Sequence, residues 1–416
     1  MTDSPLTGSP LTGSPAPGQV KDAMIAVYVV FIGSGFAFAS WASRIPQVRD
    51  RLRVDPGELG LILLATAIGS IIAMPLAGVV VTRLGSARAV TVMSLILVAG
   101  LATTAVGYLH GIPPVVVGLF FLGFGNGTWD VAMNLQGAVV EQHLGRAIMP
   151  RFHAGFSVGT VAGALGGSAM IFLHVPVTAH LLLVAVIIAA TVPAATRKFI
   201  PAAPRPATEA HHVRRSPFKA WTEARTLLIG VFVLCMAFTE GTGNDWLGVA
   251  MVDGYHTSAA VGSLTFALFV GAMTTGRWFG PGLIDRLGRV AVLRGSALTA
   301  AFGLVVVVFS QTVPTAMIGA VLWGLGAALG FPVGMSAASD DPRHAAGRVS
   351  TVASIGYAAF LAGPPLIGFL GNHGGVLQAL TVTAGLLALA AALAGACRPP
   401  EITGSDQAGV GTAMPA

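Results

Sequence analysis

The sequence predicts an all-α, polytopic membrane protein of twelve transmembrane helices in two pseudo-symmetric six-helix bundles. Of its 416 residues, 54% are hydrophobic and 10% charged, and the mean hydropathy is +0.78. An average soluble domain is roughly 45–50% apolar and about 25% charged, so a water-soluble core could not absorb this much apolar surface. Each bilayer-crossing helix needs about 20 apolar residues, and twelve of them fill the chain without room for a sizeable soluble domain.

Taken in order, residues 1–22 form a tail in which Ser-Pro-Leu-Thr-Gly occurs twice, from Ser4 to Gly8 and from Ser9 to Gly13, a composition expected to be disordered. The first apolar run starts near Ala23 without a small-residue cleavage site and reads as a span, not a cleaved signal. Apolar runs at 23–43, 58–81, 89–109, 114–138, 152–173 and 178–196 make a first bundle over 23–196. Runs at 226–248, 259–281, 290–309, 314–338, 349–370 and 375–397 make a second over 226–397. Between them, 197–225 is a basic linker with Arg197, Lys198, Arg205, Arg214, Arg215, Lys219 and Arg225, read as a solvated loop at an anionic leaflet. Residues 398–416 form a second disordered tail.

Charge placement orients the bundle. With a cytoplasmic amino terminus, only Arg44, Arg49, Arg51 and Arg53 fall in outer loops, and Arg277 lies within a span. Every other Lys and Arg then sits in a tail or inner loop or, as Arg294, at the inner end of a span, so the positive-inside rule places both termini in the cytoplasm. Arginine far outnumbers lysine and alanine is abundant, which points to a GC-rich bacterial genome and a bacterial cytoplasmic (inner) membrane.

Several function classes lose support. The formal charge of +6 is spread over short loops, not gathered into a patch, so no nucleic-acid partner is expected. Cys235 and Cys397 lie far apart in apolar runs, and neither a metal site nor a cofactor is indicated. No G-x-x-x-x-G-K-[ST] sequence is present. Gly155-Phe156-Ser157-Val158-Gly159 fits a hydrolase pattern in letters only, because it falls inside an apolar helix where that chemistry needs a strand-to-helix turn. An enzyme is not expected.

Polar groups at mid-span carry the functional reading, since a charge at a helix centre costs roughly 2.5–3.5 kcal/mol on insertion scales. In the fourth span Asn126, Asp130 and Asn134 recur every fourth residue and share one helix face, expected to line a central cavity. In the seventh, Glu240 and Asn244 share a face, with Asp245 and Trp246 beside them. Asp130 and Glu240 come from different bundles, as a site between halves requires, and are candidates for binding substrate or carrying a proton. Trp129, Tyr357, Trp246, Trp323 and Phe331 are candidate stacking surfaces, with packing as the alternative. Arg44 reads as a snorkelling anchor and His153 as a hydrated inner-end histidine. Arg277 snorkels or joins the following loop at Asp285, with binding of an anionic substrate as the alternative.

The repeat has its own residues. Thr82-Arg83-Leu84-Gly85 with Arg88 follows the second span, and Asp285-Arg286-Leu287-Gly288-Arg289 follows the eighth. Gly123-Phe124-Gly125 in the fourth answers Gly324-Leu325-Gly326 in the tenth, and Gly163 answers Gly363-Pro364. These loops resemble the Gly-x-Leu-x-Asp-Arg-x-Gly-Arg signature of the major facilitator superfamily. The first copy has Thr82 where the family has an acid, and the second has Pro281 in place of the leading glycine. The resemblance implies that Arg83, Gly85, Arg88, Asp285, Arg286, Gly288 and Arg289 form a gating loop whose acid pairs with basic residues in one access state. Ser43-Arg44-Ile45-Pro46, Asp130-Val131-Ala132-Met133-Asn134 and Glu240-Gly241 further resemble the fucose-permease-like branch of that family.

The expected function is therefore secondary transport of a small polar solute by alternating access, coupled to protons and working as a monomer among membrane lipids. The resemblance implies a sugar. A proton-driven exporter of drugs or amphipathic compounds and a non-transporting membrane sensor remain open as alternatives.

Overall fold

The computed structural model describes residues 15–145, 148–201, 219–341 and 344–399. The tail expectations before residue 15 and after residue 399, and the linker over 202–218, lie outside the described residues. Eleven helices among those described are long and apolar enough to cross a membrane. One of them, Pro56–Gly107, holds 52 residues. A straight helix of that length would measure about 78 Å, far more than a hydrocarbon core of about 30 Å.

The chain reverses at Gly85, whose φ of 75° and ψ of 159° are non-helical. The packing partners on the fourth span show the reversal. Before Gly85, Thr66 meets Gly123 and Ser70 meets Gly127, so both strands of numbering rise together. After it, Leu97 meets Gly125 and Gly100 meets Gly118, so one rises as the other falls. Pro56–Gly107 is thus two antiparallel spans, 56–84 and 86–107, and the molecule has twelve spans among its described residues.

Span 1 is Pro17–Ala42, span 4 Ile112–Leu144, span 5 Met149–Phe172 and span 6 Val177–Thr196. In the second half, span 7 is Ala224–Tyr255, span 8 Ala259–Leu287 and span 9 Arg289–Phe309. Span 10 is broken into Val313–Ala327 and Gly330–Ala338, span 11 is Ala345–Gly374, and span 12 runs over Val376–Cys397. Odd spans leave and even spans return to the face that carries both ends of the described chain, called here the terminal face. The opposite face is the distal one. Helices overrun the apolar runs at many ends because polar first turns and Pro17, Pro56, Pro113, Pro150 and Pro314 extend them. A short helix over Ile45–Leu52 follows span 1 on the distal face and buries Ile45, Pro46 and Val48, an element the sequence reading treated as loop.

Glycine contact is the common packing device. Lipid tails are as apolar as leucine, so helices associate in membranes through close van der Waals approach and interhelical hydrogen bonds. A Cβ on Gly123 would stand 1.9 Å from the carbonyl oxygen of Thr66, and one on Gly324 would stand 2.2 Å from that of Phe269. Gly100 on Gly118 recurs as Gly303 on Gly319, and Gly125 beside Leu97 recurs as Gly326 beside Ala300. Gly163 lies against Phe36 of span 1, and Gly363 against Phe238 of span 7. The repeat seen in two loops therefore extends to the helix contacts of both halves. Polar bonds reinforce them: Ser70 Oγ donates to the Gly123 carbonyl at 3.0 Å, and Thr178 Oγ1 to that of Ala105 at 2.7 Å. Outward faces carry Leu61, Ile72, Phe279, Phe302 and Phe369 exposed, as a lipid-facing surface does.

The two halves meet most closely at the distal face. Gly60 approaches the Pro364 carbonyl and Gly368 that of Pro56, both across the span 2–span 11 seam. Ser168 Oγ of span 5 donates to the Ala260 carbonyl of span 8 at 3.1 Å.

Candidate functional site

A cavity of about 630 Å³ lies between the halves, walled by spans 4 and 5 on one side and spans 8 and 10 on the other. Its lining runs from mid-depth at Asp130 and Met133 to the terminal ends of spans 5 and 8 at Pro150 and Ile284. The break in span 10 at residues 328–329 sits in this wall, where Leu329, Phe331 and Val333 line the cavity. The cavity therefore belongs to the terminal side of the molecule, while the distal side is closed by the seam described above.

Asp130 is the only acid in this wall among the described residues. Its helix neighbour Asn134 donates Nδ2 to the Asp130 carbonyl at 2.8 Å and to its carboxylate at 3.3 Å. No cation bonds Asp130 among the described residues. Tyr357 of span 11 lies within electrostatic reach of it, so the second half faces it directly. The third member of the stripe is committed elsewhere, because Asn126 Oδ1 accepts from Ser34 Oγ of span 1 at 3.0 Å.

Glu240 is not a free acid. Arg277 Nη2 donates to both of its oxygens, at 2.8 and 2.9 Å, and Arg277 Nε donates to the Ala328 carbonyl at 3.3 Å, at the break in span 10. The expectation that Arg277 snorkels or joins the loop at Asp285 is corrected: a carboxylate at the depth of Arg277 was available in span 7, and a charge-assisted bond from Nη2 to both its oxygens outweighs an exposed contact. Arg277 also lines the cavity, and His153 across it lies near enough to feel its charge. Arg151 lines the same wall, exposed and with no ion partner among the described residues.

The other acid of span 7 is placed differently. Asp245 follows Gly241, which faces Phe360 of span 11, and precedes Gly248, which faces Pro46 of the opposite half. That stripe looks toward the seam between halves, and Asp245 has no hydrogen-bond partner among the described residues. Asn244 Oδ1 is buried without a partner. Trp129, Trp246 and Trp323 are each fully buried, with unpartnered indole nitrogens. Trp129 packs near Gly33 of span 1 and does not line the cavity, so packing, the alternative reading, describes it. Ser157 does line it, and its Oγ donates to the His153 carbonyl inside the helix at 3.3 Å, which leaves no strand-turn setting for a nucleophile.

Arg44 is a second correction. It is 0% exposed, with Nε on His180 Nδ1 at 2.9 Å, Nη2 on the Val175 carbonyl at 3.1 Å, and a further bond to Gln47. Three acceptors near the distal face, His180 of span 6, Gln47 of the short helix and the Val175 carbonyl, draw it inward, so it does not snorkel.

The gating loops differ from each other in partners. Gly85 and Gly288 take matching conformations, the latter with φ 82° and ψ 152°. Arg83, Arg88, Asp285 and Arg286 form no ion pair among the described residues, whereas Arg289 reaches Asp340 at the end of span 10 at 2.9 Å. Asp340 also takes Arg225 of span 7 at 2.9 Å, and Arg348 of span 11 bonds Glu223 at 2.6 Å. These residues clasp the terminal ends of the second half; Arg289 and Arg225 were named from the sequence, whereas their partner Asp340 and the pair Glu223–Arg348 were missed. The Asp340-Asp341 pair closing an apolar run was the signal available. Asn372 was missed as well: its side chain accepts from Gly57 N at 2.9 Å and donates to Asp55 at 3.1 Å across the distal seam, where Arg49 also pairs with Asp253.

Two like halves of six helices, enclosing a mid-depth cavity that holds a carboxylate from one half and an arginine from the other, have the architecture of membrane carriers. The chain belongs to the Major Facilitator Superfamily, whose sequence profile matches residues 23–359 and 233–411. It is similar to an uncharacterized MFS-type transporter of Yersinia pestis, 32% identical over 367 residues that cover 88% of this chain and 92% of that one. Among solved structures it is similar to a mutant of the nucleoside transporter NupG, with a TM-score of 0.72 at 15% identity over 91% of this chain and 99% of the other. A variant of the E. coli fucose:proton symporter FucP gives a TM-score of 0.63 at 17% identity, over 90% of this chain and 98% of that one. At such identities these two likenesses concern the fold.

Proposed function

We propose that this chain is a secondary active transporter that moves a small polar solute by alternating access, with a proton carried on Asp130. The observation that supports this most is asymmetry of closure. The cavity with Asp130 and Arg277 opens between the terminal halves of spans 4, 5, 8 and 10, while Asn372, Asp55, Arg49 and Asp253 tie the distal ends together. Rocking the halves about mid-depth would break the distal ties, close the terminal side and present the same groups to the other face. A mid-depth carboxylate with no cationic partner is the kind of group that exchanges a proton as access alternates. FucP is by name a proton symporter, which agrees with this reading.

Under the positive-inside rule the terminal face, with Arg83, Arg88, Arg225, Arg286, Arg289 and Arg348, is cytoplasmic in a bacterial inner membrane. Both halves lie in one chain, so a monomer contains a whole pathway. The gating loops act in the state opposite to this one, which fits the absence of an Asp285 ion pair among the described residues.

A second reading, export of amphipathic compounds, draws on Met133, Phe156, Trp278, Phe331 and Met335 in the cavity wall. Counterflow into proteoliposomes with sugars and with cationic amphiphiles, with and without a pH gradient, separates the two. Gradient-driven uptake of a polar solute is expected. Transport of amphiphiles alone, or no response to the gradient, would overturn the first reading.

A further inference from the structure

We propose that the solute carries a carboxylate and that this group docks on Arg277; the inference rests on the transport reading above and names its substrate class. A guanidinium has five N–H donors. Arg277 gives Nε to the Ala328 carbonyl and Nη2 to both oxygens of Glu240, and its Nη1 has no protein acceptor among the described residues. That nitrogen is not sealed inside the protein, and its residue is part of the cavity wall. A cation held in place on two sides with two donors left for a ligand is preorganised for an anion.

The balance of charge in the wall points the same way. Arg151 and Arg277 line the cavity, against Asp130 as the acid there, and Glu240 offsets Arg277 from behind. With the transported proton on Asp130, the wall is left with an uncompensated positive charge on Arg151. A neutral sugar would leave the Nη1 donors of Arg277 without an anionic acceptor. A carboxylate supplies one, and its charge is also drawn by Arg151, exposed at the terminal end of the wall. The rest of the molecule is held by Asp130 and Ser157, whose acceptor capacity suits hydroxyl groups. The class indicated is a small hydroxylated monocarboxylate, entering with its proton as a neutral pair.

The test uses the purified full-length protein and matched probes: gluconate with glucose, galactonate with galactose, fuconate with fucose, and glycerate with glycerol. Binding is read by titration calorimetry, independently of flux. At least one acid is expected to bind about tenfold or more tightly than its neutral partner, the size a charge-assisted contact supplies. Arg277→Gln should remove that preference. Because this variant leaves Glu240 without its cation, the double variant Glu240→Gln/Arg277→Gln, uncharged and close in shape, is measured beside it, with thermal melting to show that it folds. Neutral partners bound as well as every acid in wild type, or an acid preference that survives in a folded double variant, would overturn the proposal. Flux distinguishes the two readings: acids bound but never accumulated would sink transport alone, whereas gradient-driven uptake of neutral sugars with acids ignored would sink the carboxylate alone.

Discussion

Asn372 of span 11 acts as a cap for a helix in the opposite half: it accepts from Gly57 N at the start of span 2 and donates to Asp55, the residue that already caps that helix. Helix N-termini carry unpaired N–H groups, so this bond stabilises the helix only while the distal face is closed. Removing it should cost the closed state about 1 kcal/mol, a shift of roughly fivefold toward distal opening. Spin labels on Leu61→Cys and Phe369→Cys, at exposed distal positions of spans 2 and 11, report the separation. In the Asn372→Ala background the longer distances should gain weight, and an unchanged distribution would show that the cap does not hold the seam.

The hinge glycines behave as twins. Gly85 and Gly288 both sit at positive φ with extended ψ, a region open essentially to glycine alone. Neither has an atom within 4 Å of an added Cβ, so the cost of alanine there is backbone strain without steric clash. Gly85→Ala and Gly288→Ala should each destabilise the protein by about 1–3 kcal/mol. Gly166→Ala, also in open space but at a helical φ, should not. Melting in detergent micelles checks all three, and equal stability of the three variants would contradict the strain account.

Acid should loosen the terminal clasp of the second half. Glu223, outside the spans, is held below the usual carboxylate range first by the hydrogen bond from Arg348, and then by Thr226 and the nearby charge of His344. A folded-state value below the unfolded one means the stabilisation is present above the ordinary carboxylate value and is lost as pH falls through the lowered one. The melting temperature should therefore fall from neutral pH toward pH 4 more steeply in wild type than in Glu223→Gln. Parallel curves for the two proteins would remove Glu223 from the account.

The spans were legible because each is a local run of apolar residues, and the repeat because its punctuation is local too. Gly85 was visible as a loop glycine, and its match to Gly288 carried over into geometry. What escaped notice is long-range pairing. Glu240 and Arg277 are 37 residues apart, and Asp55 and Asn372 are 317 apart. Periodicity ranks a residue by its own helix face and says nothing about which neighbour reaches it. The same limit made Arg44 read as a surface anchor, because its acceptors His180 and Val175 lie on another hairpin. Trp129 shared a helix turn with Asp130 yet points into packing, since adjacent residues on a helix are rotated by about 100° from each other.

Three acids within spans 4 and 7 are candidates for the proposed coupling role, and their partners rank them. Glu240 is committed to Arg277, Asp245 faces the seam without a partner, and Asp130 lines the cavity with only Asn134 on its carboxylate. A pH difference of one unit supplies roughly 1.4 kcal/mol per proton, enough for about tenfold accumulation of a solute moved with one proton at zero potential. Asp130→Asn should lose that accumulation, leaving a ratio of about one, while exchange of internal for external solute persists because the binding cavity remains. Glu240→Gln should depress exchange and accumulation together, since it frees Arg277 and disturbs the cavity wall. Asp245→Asn should keep exchange, and its accumulation ratio reports whether the proton passes the seam by way of this second carboxylate. Proteoliposome uptake at fixed pH difference measures all three, and wild-type accumulation by Asp130→Asn would move the proton off that residue.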